Sequence, residues 1–562
     1  MRGNSFSFLL LALLLPFFVA AQNGGRLSGN LQASGNFFMQ DSLIGAAGTP
    51  QYDRQLFGAE AWLNLNYSNW GFDFGLRFDM FNNSNILNPL GSYNAQGIGR
   101  WYIRKKIQNL DITGGYIYDQ IGSGIIFRAY EERPLLIDNA LLGVRLAYDL
   151  GENWKIRAFT GKTKQQFDEY RSVVKGGALD GYLTLGDSLK PVTLSPGIGV
   201  INRTLDDETM QTLVGTLGTY HPADRIGAKY NVYAFSAYNT LTYGNFTWFF
   251  EGAYKTNEVI FDPFAPKTNF KTEPDGSIGL DTTLGKFDFR DGSIVYTTMS
   301  WAGGGFGITG EFKRTENFSL RASPFLRTEK LNDGLLNFLP PLTRINTYRL
   351  TARYNAATQE IGELAYQFDV RYAPSRKLSF NVNYSDIKDL DNVQLYREIY
   401  TEVQFKKGRQ WQILGGLQLQ QYNQERFETK PNVPMVKTIT PYFDFLYKIN
   451  RKKAIRLEGQ YMNTKEDYGS WLFALAEFSI APHWTFTASD MYNVSPGKNS
   501  PVDDSGEKLK LHYPRFDVFY THGANRFSLS YIKQVEGVVC SGGICRLEPA
   551  FHGVRLTVDS TF

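Results

Sequence analysis

Residues 364–385 read LAYQFDVRYAPSRKLSFNVNYS and show most clearly the alternation that predicts the fold. Before the short stretch APSRK, large apolar residues such as Tyr366 and Phe368 stand at every second position, and polar residues such as Asp369 stand between them. After that stretch the same alternation resumes with Phe380. Side chains of a strand point to opposite faces in turn, so each half has one apolar and one polar face. The stretch therefore predicts two antiparallel strands joined by a tight turn.

The same period-two alternation recurs along the chain, for example at 72–80, 142–148 and 348–354. Such segments approach the length of about ten residues that a tilted strand needs to cross a membrane. Towards the C-terminus, short connections such as 373–376 alternate with longer ones such as 494–510. Outer-membrane barrels have short periplasmic turns and longer extracellular loops, whereas a soluble β-sandwich has no need of this asymmetry. The pattern predicts an all-β protein, a large antiparallel transmembrane β-barrel.

Counting strands from both ends gives about 24, within a range of about 18 to 26, and the number should be even. The number of strands is even only if residues 328–344 form a periplasmic connection. Segments at about 120–138, 163–225 and 258–290 are too long for ordinary hairpin loops, and we expect them to be folded extracellular insertions. Because strand patterning begins a few residues after position 21, we expect no plug domain before the barrel.

Composition supports the same class of protein. Aromatic residues make up 15% of the chain, while the mean hydropathy is −0.31, which suits an apolar outer face around a polar lumen. No later stretch approaches the 18 or so apolar residues of a spanning helix, so a helical membrane protein is excluded. The net charge of +4 over 562 residues, without a concentrated basic stripe, gives no support to nucleic-acid binding.

The N-terminus has the features of a secretory signal peptide. Arg2 precedes the apolar run FLLLALLLPFFV at 8–19, and Ala20 and Ala21 offer a cleavage site before Gln22. The alternative is a retained anchor, but the run is short for a spanning helix. We therefore predict a signal peptide at 1–21 and a mature barrel at 22–562 in the bacterial outer membrane.

The last residues, VRLTVDSTF at 554–562, alternate through Val558 and end on Phe562. This ending resembles the terminal strand of bacterial outer-membrane proteins, which the barrel-assembly machinery engages through its final aromatic residue. Ser560 departs from that pattern, since many such proteins have an apolar or aromatic residue there. The resemblance implies that Phe562 is an assembly signal.

Three stretches, GVINRTLDDET at 199–209, NFLPPLT at 337–343 and RYNAATQEIGELAYQFDVRYAPS at 353–375, carry a further resemblance. They resemble an outer-membrane β-barrel family of the Bacteroidota that is catalogued as domain of unknown function 6029. The resemblance covers the mature chain and implies a location and a fold rather than an activity. A more distant likeness is to porins and alginate-export barrels, which have folded-in loops.

Parity on the predicted strands points a set of charged side chains into the lumen, namely Arg77, Arg145, Arg349, Arg353, Arg371, Asp73, Asp79 and Asp369. Inward charges influence which solutes pass a pore. The alternative is mutual pairing that only braces the lumen. Because both signs are present, we favour pairing and predict no anion selectivity.

Two cysteines and two histidines are the remaining candidates for chemistry. Cys540 and Cys545 flank two glycines in the last long loop, and outside the cell we expect them to form a disulfide. The alternative, a metal pair, has no converging histidine. His512 and His552 lie near the predicted extracellular rim, but no spacing supports a catalytic site, so we predict no enzyme, metal or cofactor.

A barrel of more than about 16 strands is wider than its side chains can fill. We therefore expect a porin-like channel for passive passage of small polar solutes, gated or constricted by the 163–225 insertion. The alternative is a non-transporting structural barrel of an envelope complex for protein secretion or outer-membrane assembly. Expected partners are outer-membrane lipid and lipopolysaccharide, the barrel-assembly machinery during biogenesis, and envelope proteins, but no nucleic acid.

Overall fold

The computed structural model describes residues 25–562, apart from 89, 136, 187–189, 273–274, 276, 327–333, 429, 431 and 542–543. Within this part of the chain, 24 strands form one closed antiparallel sheet. The barrel strands are β1 (Arg26–Phe38), β2 (Phe57–Asn69), β3 (Phe72–Ser84), β4 (Tyr93–Ile107), β5 (Leu110–Ile117), β6 (Leu141–Leu150), β7 (Trp154–Gln165), β8 (Asp168–Gly181), β9 (Val192–Thr204), β10 (Asn231–Tyr243), β11 (Phe246–Thr272), β12 (Ile278–Gly303), β13 (Phe306–Glu316), β14 (Gly362–Ser375), β15 (Leu378–Lys388), β16 (Gln394–Lys407), β17 (Trp411–Tyr422), β18 (Val436–Lys448), β19 (Lys453–Met462), β20 (Gly469–Ile480), β21 (Trp484–Pro496), β22 (His512–His522), β23 (Asn525–Gln534) and β24 (Phe551–Thr561).

The two ends of the sheet meet and close the barrel. Strand β24 pairs with both β23 and β1, and Ala33 lies opposite Val558 in the closing ladder. Gly29 and Phe562 exchange two backbone hydrogen bonds, at 2.8 and 2.9 Å. Since lipid offers no hydrogen-bonding partner, closure leaves no strand edge unsatisfied. The predicted all-β barrel of about 24 strands is confirmed.

The outer surface of the barrel is apolar. On β3, Leu76 and Phe78 are 41% and 48% exposed, whereas Arg77 between them is 2% exposed. Exposed aromatic side chains form a girdle near one end of the wall: Trp154, Tyr243, Trp248, Trp301, Phe306, Phe405, Tyr447, Trp484 and Phe527. An apolar belt with an aromatic girdle is the surface that a barrel presents to a bilayer. The protein lies in the bacterial outer membrane. No helix among the described residues is long and apolar enough to cross a membrane.

The two ends of the barrel carry different connections. Apart from 182–191, those at one end are short: 70–71, 108–109, 151–153, 244–245, 304–305, 376–377, 408–410, 449–452, 481–483 and 523–524. The other end carries the long ones, which include 39–56, 118–140, 205–230, 317–361, 497–511 and 535–550. The asymmetry of outer-membrane barrels makes the first end periplasmic and the second extracellular.

The predicted insertion at 163–225 is wrong as a single insertion, because it contains the wall strands β8 and β9. Glycines hid their alternation in the sequence. A side chain at Gly176 would meet the ring of Phe159, and one at Gly197 would meet the ring of Tyr238. Each ring belongs to the residue directly opposite on the neighbouring strand, so it covers the glycine from there.

Two predictions for the middle of the chain are also wrong. Residues 317–361 join β13 to β14 at the extracellular end, so 328–344 is no periplasmic connection. The alternating stretch 348–354 forms turns rather than a strand. Tyr348, Leu350 and Tyr354 are buried there because the segment lies inside the barrel. The apolar alternation reflected burial by protein and not contact with lipid.

An extracellular lobe continues from the wall. Strands β11 and β12 are 27 and 26 residues long, so the predicted insertion at about 258–290 is an outward extension of two wall strands. Helix α1 (Asp207–Gly218) packs on this extension through a buried cluster that includes Leu213, Leu217 and Phe287. The extracellular part of 163–225, residues 205–225, thus covers a hairpin beyond the membrane.

This orientation predicts which positions a membrane-impermeant maleimide reaches on intact cells. In a Cys540→Ser/Cys545→Ser background, Gln211→Cys on helix α1 should be labelled, because it is exposed beyond the extracellular rim. Ala524→Cys, in the short turn between β22 and β23, should be labelled only after the outer membrane is permeabilised. The reverse labelling pattern would show that the barrel is inserted the other way round.

Candidate functional site

Two extracellular connections, 118–140 and 317–361, fold back into the barrel, and we call their described residues the lumen insert. The predicted insertion at about 120–138 corresponds to the first of them. The two connections bind each other. The backbone N–H of Arg128 donates to the carbonyl of Leu336 at 2.9 Å, and the side chain of Asn139 donates to the carbonyl of Leu335 at 2.8 Å. The connections therefore form one unit inside the wall.

Apolar side chains pack the lumen insert against the inner wall in two buried clusters. In the first, Ile121, Ile125, Ile126 and Phe127 of the insert contact wall residues that include Leu141, Phe159, Val174, Ile201 and Val232. In the second, Leu342, Leu350, Tyr354 and Ala356 contact wall residues that include Tyr396, Tyr422, Trp471, Met491 and Tyr513. The extracellular half of the lumen is thus a packed core and not an open pore.

Amide side chains of the wall satisfy the backbone of the lumen insert. Gln418 donates to the carbonyl of Thr351 at 2.9 Å, and Gln460 accepts from the backbone N–H of Leu350 at 2.7 Å. Gln420 makes a similar bond to the insert at 2.7 Å. The insert is irregular and buried, so its peptide groups need such partners. These amides take the place that water has in an open pore.

A fully buried ion pair holds the base of the second connection. Lys313 on β13 and Glu363 on β14 lie 2.7 Å apart, and both side chains are 0% exposed. The ammonium of Lys313 also donates to the carbonyl of Pro340 and, at 2.9 Å, to the hydroxyl of Thr358. One lysine therefore joins two wall strands to two points of the lumen insert.

A second buried network holds the first connection. Arg77 on β3 contacts Asp79 of its own strand at 2.7 Å, and Glu131 and Asp138 of the insert at 2.9 and 2.7 Å. Burial opposes the charge of Asp138, but the cations of Lys164 and Arg77 outweigh it and lower the pKa of this carboxyl. Asp138 is therefore ionised at neutral pH. The predicted lumen residues Arg77 and Asp79 thus hold the lumen insert to the wall.

Further predicted lumen residues lie at two levels of the wall. Arg145 pairs with Asp119 of the lumen insert at 2.6 Å. Asp369 and Arg371 pair at 3.0 Å near the periplasmic end, where the side chain of Arg371 is 73% exposed. Asp73 is likewise exposed close to that end. The inner wall is thus packed in its extracellular half and in contact with water in its periplasmic half.

Arg349 and Arg353 do not lie on a barrel strand, contrary to the prediction, because residues 348–354 belong to the lumen insert. The guanidinium of Arg353 lies 5.0 Å from the ring centre of Trp471, within the range of a cation–π contact. Arg349 lines a cavity of about 240 Å³ between insert and wall, together with Glu536 and Glu548. Both arginines lie inside the barrel, but they belong to the lumen insert and not to the wall.

The cysteines lie opposite each other on a small extracellular hairpin, where Cys540 pairs with Cys545 in the backbone register. Their side chains fall outside the described part of the structure, so the disulfide stays a prediction. The signal peptide at 1–21 also lies outside the described residues.

The two rim histidines have separate partners. Nδ1 of His512 lies 2.5 Å from Asp490, and Nε2 of His552 lies 3.0 Å from the hydroxyl of Tyr531. They share no partner, so the described residues assemble no common catalytic centre there. In the same part of the chain, no group of three His, Cys, Asp or Glu side chains is placed to hold a metal ion.

Sequence reasoning missed the residues that hold the lumen insert. Gln418, Gln420 and Gln460 are at most 3% exposed, and Lys313 and Glu363 are completely buried. One signal was present: in LQLQ at 417–420 glutamine recurs at every second position, on the inward face. Bulky amides without charge suit a polar but water-poor interior better than an open pore.

A family model described as "Family of unknown function (DUF6029)" matches residues 4–562, and the chain belongs to this family. No curated protein matches the chain.

Solved structures give only distant similarities. The translocation pore of the P pilus usher PapC is 9% identical with a TM-score of 0.44, over 95% of this chain and 99% of that one. The siderophore receptor PirA from Pseudomonas aeruginosa is 8% identical with a TM-score of 0.39, over 96% and 80%. OccAB4 from Acinetobacter baumannii is 11% identical with a TM-score of 0.33, over 74% and 96%. Similarities of this size carry no conclusion about function.

Loss of the buried Lys313 charge should loosen the lumen insert. In Lys313→Met, Glu363 is left without its partner, which typically costs about 3–5 kcal/mol for a buried pair. We expect a lower midpoint of unfolding in detergent and faster proteolysis within 317–361. The matched control is Arg314→Gln, whose pair with Glu316 is solvent-exposed and contributes about 1 kcal/mol or less. Equal stability of the two variants would contradict the role given to Lys313.

Proposed function

We propose that this member of the DUF6029 family is an outer-membrane channel for passive passage of small polar solutes. The supporting observation is a wall of charged side chains in contact with water in the periplasmic half of the lumen. There the inward side chains of Arg104 and Arg371 are 49% and 73% exposed. A barrel with this number of strands is too wide for its side chains to fill, so it offers a path up to the lumen insert.

The lumen insert takes the gating role that the sequence had assigned to 163–225. Its two connections begin and end at the extracellular rim, between β5 and β6 and between β13 and β14. The insert is held to the wall by side-chain contacts and not by the strand ladder. It therefore leaves its position without breaking the sheet, and solutes pass when it does.

The alternative is a non-transporting structural barrel of an envelope complex for protein secretion or outer-membrane assembly. The two apolar clusters favour it, because they close the lumen as firmly as a protein core. Stoichiometric partners that co-purify in mild detergent would support this function, and a clean monomer or trimer would count against it.

The proposal includes contacts with the envelope. The barrel-assembly machinery engages β24 through Phe562, whose side chain is 49% exposed, and lipopolysaccharide surrounds the apolar belt. Other envelope proteins bind the extracellular lobe. A source in the Bacteroidota stays a prediction, and no catalytic activity is proposed.

Planar-bilayer recordings test the channel. The double variant Asp138→Asn/Gln418→Ala removes one contact between the wall and each of the two connections of the lumen insert. We therefore expect steady conductance well above that of the unaltered protein. The control is Asp503→Asn in an exposed extracellular loop, whose carboxylate binds only its own turn. If neither the unaltered protein nor the double variant conducts, although both migrate as folded barrels, the proposed channel function is wrong and the structural barrel is favoured.

The pH dependence of the unaltered channel follows from Asp138. Because its pKa is lowered in the folded protein, its pairing is present above the ordinary aspartate pKa and is lost only as pH falls through the lowered value. Protonation of Asp138 should therefore raise the conductance only below about pH 4. Opening near neutral pH would show that another group controls the insert.

A further inference from the structure

Three neighbouring periplasmic turns carry a concentration of positive charge. They join β14 to β15, β16 to β17 and β18 to β19. Their basic residues are Arg376, Lys377, Lys406, Lys407, Arg409, Lys448, Arg451, Lys452 and Lys453. The stretches 373–379, 403–413 and 445–455 contain no aspartate or glutamate. Each turn is unremarkable in the sequence, and only the fold brings the three together.

A cavity of about 850 Å³ lies among the second and third of these turns. We call it the periplasmic basic pocket; its cationic lining consists of Lys406, Arg409, Lys448, Arg451, Lys452 and Lys453. Trp411, Gln412 and Asn450 also line it, and no carboxylate does. The pocket therefore combines positive charge with hydrogen-bond donors.

Most strand residues of the pocket lie on the inward face of the wall, at the mouth of the lumen. Gln412 of its lining shares the inward face of β17 with the buried Gln418. Ser479 shares the inward face of β20 with Trp471, which is also buried. A molecule that reaches this pocket comes from the periplasm through the mouth of the barrel.

The basic side chains of these turns have no ion-pair partner within the described part of the chain. Elsewhere on the inner wall, cations such as Arg77 and Arg145 contact carboxylates directly. Among the carboxylates above the pocket, Arg456 holds Asp444 at 2.7 Å and also contacts Glu458, while Glu477 accepts a hydrogen bond from the hydroxyl of Ser479 at 3.2 Å. Clustered like charges in a concave surface create a positive potential that attracts anions.

The opposite part of the rim is different. In the turn between β6 and β7, Asp149 contacts Lys106 at 3.4 Å and Lys155 at 3.6 Å, and Glu152 adds a further negative charge. The positive charge of the mouth is thus densest at the three basic turns and is offset in the turn between β6 and β7. A ring around the mouth would suit ion selectivity, whereas a one-sided patch suits the docking of a partner.

We propose that the periplasmic basic pocket binds an acidic peptide segment of a soluble periplasmic protein. An extended segment matches cations that are spread over neighbouring turns, and it uses the amides of Gln412 and Asn450 for its backbone. A single small anion would leave most of the pocket empty. The proposal does not rest on the channel function.

Fluorescence anisotropy with the full chain in neutral detergent tests it. The probe is a labelled glutamate peptide of about ten residues, with glutamine and lysine peptides of the same length for comparison. We expect only the glutamate peptide to bind, with affinity that falls as salt rises. Arg409→Gln/Arg451→Gln/Lys452→Gln should weaken binding by about tenfold or more. Lys105→Gln/Lys106→Gln, on the same rim but outside the pocket, should change it by less than about twofold.

Several results would overturn the proposal. They are absence of binding at low salt, equal losses in both variants, and displacement of the peptide by one equivalent of inorganic phosphate, which would indicate a small-anion site. Binding of phosphatidylglycerol vesicles that the triple variant abolishes would indicate a lipid surface instead. Migration as a folded barrel on unheated gels excludes misfolding as the cause, and the bilayer conductance of the Asp138→Asn/Gln418→Ala variant reports separately on the channel.

Discussion

The bilayer requires the wall to make all of its backbone hydrogen bonds within itself, and the rest of the structure depends on this constraint. It forces β24 to pair with β1, so the sheet becomes a closed barrel without edges. With 24 strands the closed wall encloses more space than inward side chains can fill. The chain's own extracellular connections occupy this space in one half of the lumen, and water has access to it in the other half. The strand number thus leaves room for the lumen insert.

Burying an irregular segment inside a barrel raises a second requirement, because its peptide groups need partners where water is scarce. The wall meets this need with inward glutamines and with the Lys313–Glu363 pair. Aromatic side chains such as Tyr396 and Trp471 fill the space between these polar contacts. The inner face is therefore mixed: amides, rings and paired charges contact the insert, and exposed charges contact water.

Charged side chains of the same kinds serve two different purposes along the lumen. Inside the lumen, Arg77 and Asp138 form a buried ion pair, in which the guanidinium keeps the carboxyl of Asp138 ionised. At the periplasmic mouth, Arg409 and Arg451 face water without carboxylates. Paired charges brace the insert, while unpaired ones leave a potential that acts on molecules in the periplasm. Neither role is visible in the net charge of +4.

Alternation and turn length are local properties that lipid and strand geometry impose directly, so a large antiparallel barrel with short turns at one end could be predicted from the amino-acid sequence. The prediction failed where a local pattern had a non-local cause. Strands β8 and β9 were hidden because rings on neighbouring strands cover their glycines, as Phe159 does for Gly176. Residues 348–354 alternate, but alternation reports only that one face is apolar and not what covers it. The tertiary structure shows that protein, and not lipid, covers that face. It also shows that three separate basic turns meet at the periplasmic mouth. Neither could be predicted, because each depends on contacts between residues far apart in the chain.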